Sequence, residues 1–264
     1  MITKSPTTCP KEIREMIRTG EWTQPTPGIS PGHVQANLAV LPQEFAFDFL
    51  LFTQRNPQPC PVLEVIESGN FEPVSIAPGA DLRTDLPQYM IYEHGELVGK
   101  VDNLIEYWRD DLVSFLMGCS FSFENAFHRA GIPVRHLEEG KSDPTFISNI
   151  ETIPAGVFSG PMVVSMWPVH WTQVSRVIQI TSRYPGAHGA PVHIGDPDAI
   201  GISDLYKPEY GDTVKLREGE VPVFWGCGVT PQEVALRSKP SLMMTHSAGH
   251  MFVTDLQDED IAII

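Results

Sequence analysis

Phe115-Leu116-Met117-Gly118-Cys119-Ser120-Phe121-Ser122 is answered far downstream by Phe224-Trp225-Gly226-Cys227-Gly228-Val229-Thr230. In each, an apolar run closes on Gly-Cys, and a hydroxyl residue, Ser122 or Thr230, stands three places after the Cys. Ser and Thr there are natural N-caps for a following helix. In the second copy, Pro231 and Glu233 complete the start signal, Pro at the first helical position and Glu three residues beyond Thr230. A strand that turns directly into a helix predicts α/β architecture. In an open α/β sheet, ligands gather outside the carboxyl ends of the strands, where helix N-termini offer free N–H donors. The two turns are therefore predicted to face one ligand across one sheet edge. Cys119 and Cys227 are candidate acid/base thiols, and Ser120, Ser122 and Thr230 are candidate substrate contacts. The plain alternative is two strand–helix turns with inert, buried cysteines, the commoner kind.

The segments around these turns carry the same alternation. Helical periodicity predicts helices over residues 11–19, 42–52, 103–111, 123–130, 172–180 and 231–237, with Phe45, Phe49 and Phe52 packing inward from the second. Apolar runs predict strands at 61–66, 112–117, 162–166, 190–194, 221–225, 242–245 and 251–254, and a hairpin about His94-Gly95. Alternating strands and helices predict a sheet that is at least partly parallel. A chain of 264 residues suits one large or two small domains. The expected division is a main α/β part, 1–146 with 199–264, and a smaller inserted α+β part, 147–198.

Charge and composition narrow the function. With 33 acidic and 18 basic residues the net charge is −15, which disfavours nucleic acid and anionic membrane as partners. A small carboxylate substrate stays compatible, since local Arg residues and helix N-termini bind carboxylates inside acidic proteins. The four cysteines are too few for a disulfide framework and match no zinc spacing. Residues 1–20 lack the apolar core of a signal peptide, and no run of eighteen apolar residues occurs, so a reducing cytoplasm is the expected home. Neither a Gly-rich phosphate loop nor a Gly-x-Ser-x-Gly elbow is present, and no cofactor or metal is expected. A homo-oligomer stays open.

Three polar clusters add candidates. Arg83-Thr84-Asp85 lies in a loop, where Arg83 could fork onto a carboxylate; an ordinary surface pair with Asp85 is the plain alternative. His188 to Asp196 packs His188, His193 and Asp196 among Gly and Pro, residue types suited to proton transfer near neutral pH. Thr245-His246-Ser247-Ala248-Gly249-His250 ends a strand with two histidines, but Gly249 and the lack of a Glu after His246 argue against zinc.

At these residues the chain resembles the hydro-lyase family that includes D-glutamate cyclase. The resemblance spans nearly the whole chain, from Gln35-Ala36-Asn37-Leu38 to Val253-Thr254-Asp255. Its blocks include Arg55-Asn56-Pro57, Pro59-Cys60-Pro61, Arg83-Thr84-Asp85-Leu86-Pro87, Gly118-Cys119-Ser120-Phe121-Ser122-Phe123-Glu124 and Gly160-Pro161-Met162-Val163-Val164-Ser165-Met166. His188-Gly189-Ala190-Pro191-Val192-His193-Ile194-Gly195-Asp196-Pro197 and Gly226-Cys227-Gly228-Val229-Thr230-Pro231-Gln232 complete the set. One departure is Trp167, which stands where the family pattern has Arg. The resemblance implies an α/β fold with a three-layer α/β/α part and a smaller two-layer part. It also implies a lyase that eliminates water, with D-glutamate to 5-oxo-D-proline as the assigned case.

Residue roles follow from chemistry alone. Arg83, with Asp85, is expected at a substrate carboxylate, and N–H groups after Cys119 and Cys227 at an oxyanion. His193 or His246 is expected to transfer protons, with His188, Asp196 and His250 nearby. Two competing classes stand beside the lyase. One is a cofactor-independent racemase or epimerase using the paired thiols. The other is a carboxylate-binding protein without turnover.

Overall fold

A computed structural model describes residues 9–263. Strand β1 (His33–Pro42) organises the fold, with nine of its ten residues buried. No strand was expected there, because Gln35 and Asn37 interrupt the apolar run. Both polar side chains are buried and employed: Gln35 Nε2 donates to the Thr26 carbonyl at 2.9 Å and Asn37 Nδ2 to that of Gly118 at 2.7 Å.

Helix α1 (Pro10–Arg18) precedes β1, and α2 (Gln43–Arg55) follows it directly, with Pro42 as its N-cap. Then come β2 (Val62–Ile66), the hairpin β3 (Tyr89–Glu93) and β4 (Glu96–Val101), and β5 (Leu112–Gly118). Left-handed His94 and Gly95 make the hairpin turn. The short helices α3 (Glu124–Arg129) and α4 (Arg135–Glu138) lead to β6 (Thr145–Glu151) and β7 (Pro161–His170). Helix α5 (Val174–Thr181), β8 (His193–Ile194), β9 (Glu220–Gly226) and α6 (Thr230–Ser238) follow, then β10 (Met243–His246), β11 (Phe252–Gln257) and a 3-10 turn, Asp258–Ile261. The helix expected over 103–111 is only a single 3-10 turn, Ile105–Tyr107.

The strands form two sheets. One has the order β2-β5-β1-β10-β3-β4 with β11 also paired to β1; the other has the order β6-β7-β9-β8. Among the described residues every ladder is antiparallel, so the expected parallel component is absent there. Helices do not serve here as crossovers between neighbouring parallel strands, which is what the alternation suggested. The second sheet takes in β9, which the expected division at 147–198 leaves in the main part.

Phe49 and Phe52 of α2 pack with Val234 of α6 on one face of the first sheet. The opposite face is closed by irregular chain carrying Ile76, Leu82 and Leu86 rather than by a helix layer. On the second sheet, Trp167 and Trp225 meet Phe123, Phe127 and Val177. Helix α6 ties the sheets together: the Thr230 hydroxyl accepts from Val163 N–H at 3.1 Å, and Gln232 Nε2 donates to the His246 carbonyl at 2.7 Å.

Candidate functional site

The two Gly-Cys turns end strands of different sheets, β5 in the first and β9 in the second, and not one edge of one sheet. They nevertheless line a common cavity of about 100 Å³ with Asn37, Asp143, Ser165 and His246. Asn37 joins the turns. Its amide donates to the Gly118 carbonyl, and a Cβ at Gly228 would lie 2.0 Å from its Nδ2, so a larger residue there would push the Asn37 amide out of that bond.

Neither expected cap forms. The first turn runs through a 3-10 segment, Ser120–Phe123, before α3, with no side-chain cap, and Ser122 Oγ is buried without a partner. Val229 is the N-cap of α6, and the Thr230 hydroxyl instead donates back to the Cys227 carbonyl at 2.7 Å.

Each sulfur receives the backbone N–H two residues on, Phe121 for Cys119 and Val229 for Cys227. Burial outweighs these donors. It holds the Cys119 thiol well above its ordinary value and, with Asp143 adding to it, pushes Cys227 up to about 11. Both thiols are therefore neutral near pH 7.

His246 arrives through a break in pairing. β10 pairs with β1 at Ala39 and Val40, and β11 pairs at Gln35 and Ala36. Residues 247–251 bulge out opposite Asn37 and Leu38. The His246 ring fills the gap: Leu38 N–H points at Nδ1, 3.2 Å away. The same Nδ1 lies 3.3 Å from the Leu38 carbonyl, so it accepts from the amide when the ring proton is on Nε2 and donates to the carbonyl when the proton is on Nδ1. Nε2 is buried without a partner, on a side chain that lines the cavity. Burial lowers the imidazole pKa to about 4, so the ring is neutral near pH 7.

Asp143 is the only formally charged residue lining the cavity, and among the described residues it meets no Lys or Arg. Tyr210 completes the polar wall, its hydroxyl pushed up to about 12 by burial and then by Glu233. The result is an anionic carboxylate facing neutral donors. Such a site can hold an ammonium at Asp143 and share hydrogen bonds with a carboxyl group. Among the described residues no group of three or more His, Cys, Asp or Glu is placed to hold a metal ion. No described helix is long and apolar enough to cross a membrane.

Other sequence candidates lie elsewhere. Arg83 forks onto Asp81 at 2.9 and 2.7 Å and stacks over Phe71 at 3.5 Å. Buried Asp85 takes two bonds from Arg18, at 2.8 and 2.6 Å. His188, buried with a left-handed backbone, bonds the Gln58 carbonyl at 2.6 Å, and burial lowers its pKa to about 4. His193 bonds the Asp196 carbonyl at 2.6 Å, and Asp196 caps the turn Pro197–Ile200. His250 bonds Ala248 within the bulge at 2.9 Å. None of these six lines the cavity, whereas Cys119, Ser120, Cys227 and His246 do. Trp167 lies in the aromatic cluster, its ring 5.3 Å from that of Phe123 and 5.5 Å from that of Trp225, and does not line the cavity either.

Asn37, Asp143, Ser165 and Tyr210 escaped the sequence reading. Asp143 sits in Ser142-Asp143-Pro144, an ordinary turn signal, and Ser165 is one polar residue in an apolar strand. Only that anomaly, and Asn37 likewise among apolar neighbours, could have marked them. A larger cavity of about 250 Å³ adjoins through Phe121 and is lined by Glu124, Asn125 and Asp258. It holds neither thiol nor His246.

The chain is similar to known proteins over nearly its whole length. Residues 113–255 match the family described as D-glutamate cyclase, a span with both turns, Asp143, Ser165 and His246. A protein of Geobacillus kaustophilus named "Putative hydro-lyase" is 57% identical over 254 residues, covering 96% of this chain and 97% of its own. One of Thermoanaerobacter sp. is 60% identical over 253 residues, 96% of each chain. "Putative hydro-lyase YcsI" of Bacillus subtilis is 54% identical over 255 residues, 97% of this chain and 99% of its own. Among solved structures, a nitrogen repressor-like protein of Methanococcus jannaschii overlaps 94% of this chain and 98% of its own, at TM-score 0.40 and 10% identity, too loose a likeness to build on.

Proposed function

The chain belongs to the D-glutamate cyclase family of hydro-lyases, and we propose that its reaction is loss of water from D-glutamate to give 5-oxo-D-proline. The observation that carries this reading is Asp143, a lone carboxylate set among neutral donors and neutral thiols. Cyclisation joins the α-amine to the γ-carboxyl, so the ammonium must lose protons and the carboxylate must gain them. Both reactants are in one molecule, and the enzyme's task is to fold the chain and move protons.

The α-ammonium binds Asp143 and gives it a proton. A neutral thiol protonates the γ-carboxylate, and the amine attacks the γ-carbon. In the tautomer that accepts from Leu38 N–H, His246 Nε2–H stabilises the oxyanion together with the Tyr210 O–H, where neutral donors in a dry pocket are most effective. The second ammonium proton restores the thiol. Asp143 returns its proton to the departing hydroxyl, which leaves as water. Two protons leave nitrogen and two reach the departing oxygen, so the enzyme ends as it began. The α-carboxylate lies toward Ser142, where the cavity meets an open depression carrying Lys141.

A racemase is the second reading, favoured by the one pocket that both thiols share. It needs one thiolate and one thiol, and both sulfurs rest neutral. The test is incubation with D- and L-amino dicarboxylates followed by mass analysis. Loss of one water from D-glutamate is expected. Binding without any mass change would leave a carboxylate-binding protein.

A further inference from the structure

The two sulfurs differ in what stands ready to stabilise them once ionised. Cys119 lies against Phe121 and Met251 in an apolar cluster, with the Phe121 N–H as its donor. Cys227 is anchored by its own N–H to the Val163 carbonyl at 2.8 Å, beside β7. There Thr145 of β6 and Ser165 of β7 face each other in register, their hydroxyl oxygens 3.3 Å apart. Both residues are buried, both line the cavity, and both hydroxyls reach the Cys227 sulfur, as does the Val229 N–H. The bond between the two hydroxyls uses one of their protons, so a hydroxyl proton and the Val229 N–H are left for this sulfur, against the single Phe121 N–H at the other.

An acid is only as useful as its conjugate base is stable at the moment of transfer. A buried thiol that gives up its proton in apolar surroundings leaves an uncompensated anion. At Cys227 one hydroxyl proton of the Thr145–Ser165 pair and an amide are in place to meet that anion. Ser165 sits between Val164 and Met166 in β7, and its hydroxyl both bonds that of Thr145 across the ladder and faces the Cys227 sulfur.

We propose that Ser165 and Thr145 are positioning residues that hold Cys227 as the proton donor of the dehydration, leaving Cys119 outside the proton path. The inference rests on the proposed dehydration for its chemistry, but the cradle itself can be read without turnover.

The experiment is site-resolved alkylation of the full-length protein by iodoacetamide, followed by peptide mass mapping across a pH series, for wild type, Ser165→Ala, Thr145→Val and Ser165→Thr. Loss of one donor should slow Cys227 alkylation about tenfold at fixed pH in Ser165→Ala. Cys119 should be unmoved, and Ser165→Thr should restore most of the rate. With D-glutamate, Ser165→Ala should lower kcat about ten- to hundredfold, the worth of a hydrogen bond to a charged group, with KM nearly constant. Thr145→Val repeats both readouts if Ser165→Ala melts early. An unmoved Cys227 profile in both variants overturns the cradle, whether or not the protein turns over D-glutamate. A shifted Cys227 profile with unchanged kcat overturns its role as proton donor.

Discussion

At Cys119 the strand that ends is β5, the turn that follows is 3-10, and the sulfur rests against Phe121 and Met251. At Cys227 the strand is β9 of the other sheet, α6 follows, and the sulfur faces Thr145 and Ser165. The glycines differ too. A Cβ on Gly118 would sit 1.7 Å from the Gly186 carbonyl oxygen, whereas on Gly226 the nearest atom is Pro59 N at 3.1 Å. The same short sequence pattern is thus used once to pack backbone against backbone and once to present a thiol to polar neighbours. A strand–Gly–Cys–helix echo fixes a local path, and the chemistry comes from what the rest of the chain brings up to it.

Four experiments break or sharpen this contrast. The largest effect should come from the group both turns face: Asp143→Asn removes the only charge in the cavity and should lower kcat/KM for D-glutamate by about 10²–10⁴-fold with an unchanged melting curve. A smaller split should separate the thiols. Cys227→Ser should lose about 10²-fold in kcat, near the lower end for a proton-transfer group, and Cys119→Ser should stay within a fewfold. Equal losses in both would erase the contrast and favour the two-thiol racemase.

The glycines should divide in the opposite sense, in stability. Gly118→Ala pushes a methyl into a backbone carbonyl and should cost about 3 kcal/mol in urea unfolding, against about 1 kcal/mol for Gly226→Ala. Similar values would mean that the Gly186 contact yields easily.

The pH response is the smallest. His188 and His246 are buried with pKa values lowered to about 4, below the ordinary imidazole value of the unfolded chain. The unfolded state therefore takes up protons first as pH falls. Their contribution to stability is intact above about pH 6.5 and lost between there and pH 4. Each should remove about 2 kcal/mol between pH 7 and 5, and His188→Gln or His246→Gln should flatten that limb. A pH slope unchanged in both variants would mean that neither imidazole is held neutral.

What the sequence discloses here follows range. The hairpin at His94-Gly95, the apolar strand into Gly118 and the helix opened by Pro231 are local signals, and each is present as read. The mixed α/β class was legible for the same reason. Strand direction was not, because helix–strand alternation does not say which strands become neighbours; the ladders join residues as distant as Ala39 and Thr245. The site divides likewise. Cys119, Cys227 and His246 stand out by residue type. Asp143 reads as a turn former before Pro144, and Ser165 is one hydroxyl in an apolar strand. Arg83 shows the converse: a loop Arg invites a ligand until Asp81 and Phe71 are seen to occupy it.

The proposed reaction takes water from D-glutamate and leaves the α-carbon alone. The most direct measurement is reaction of the intact protein with D-glutamate in deuterium oxide, read by mass spectrometry and by proton NMR at the α-carbon. The expected product is lighter than glutamate by one water and retains its α-hydrogen. Deuterium at the α-carbon of unlost glutamate would contradict the account and make the two turns the opposing faces of a racemase.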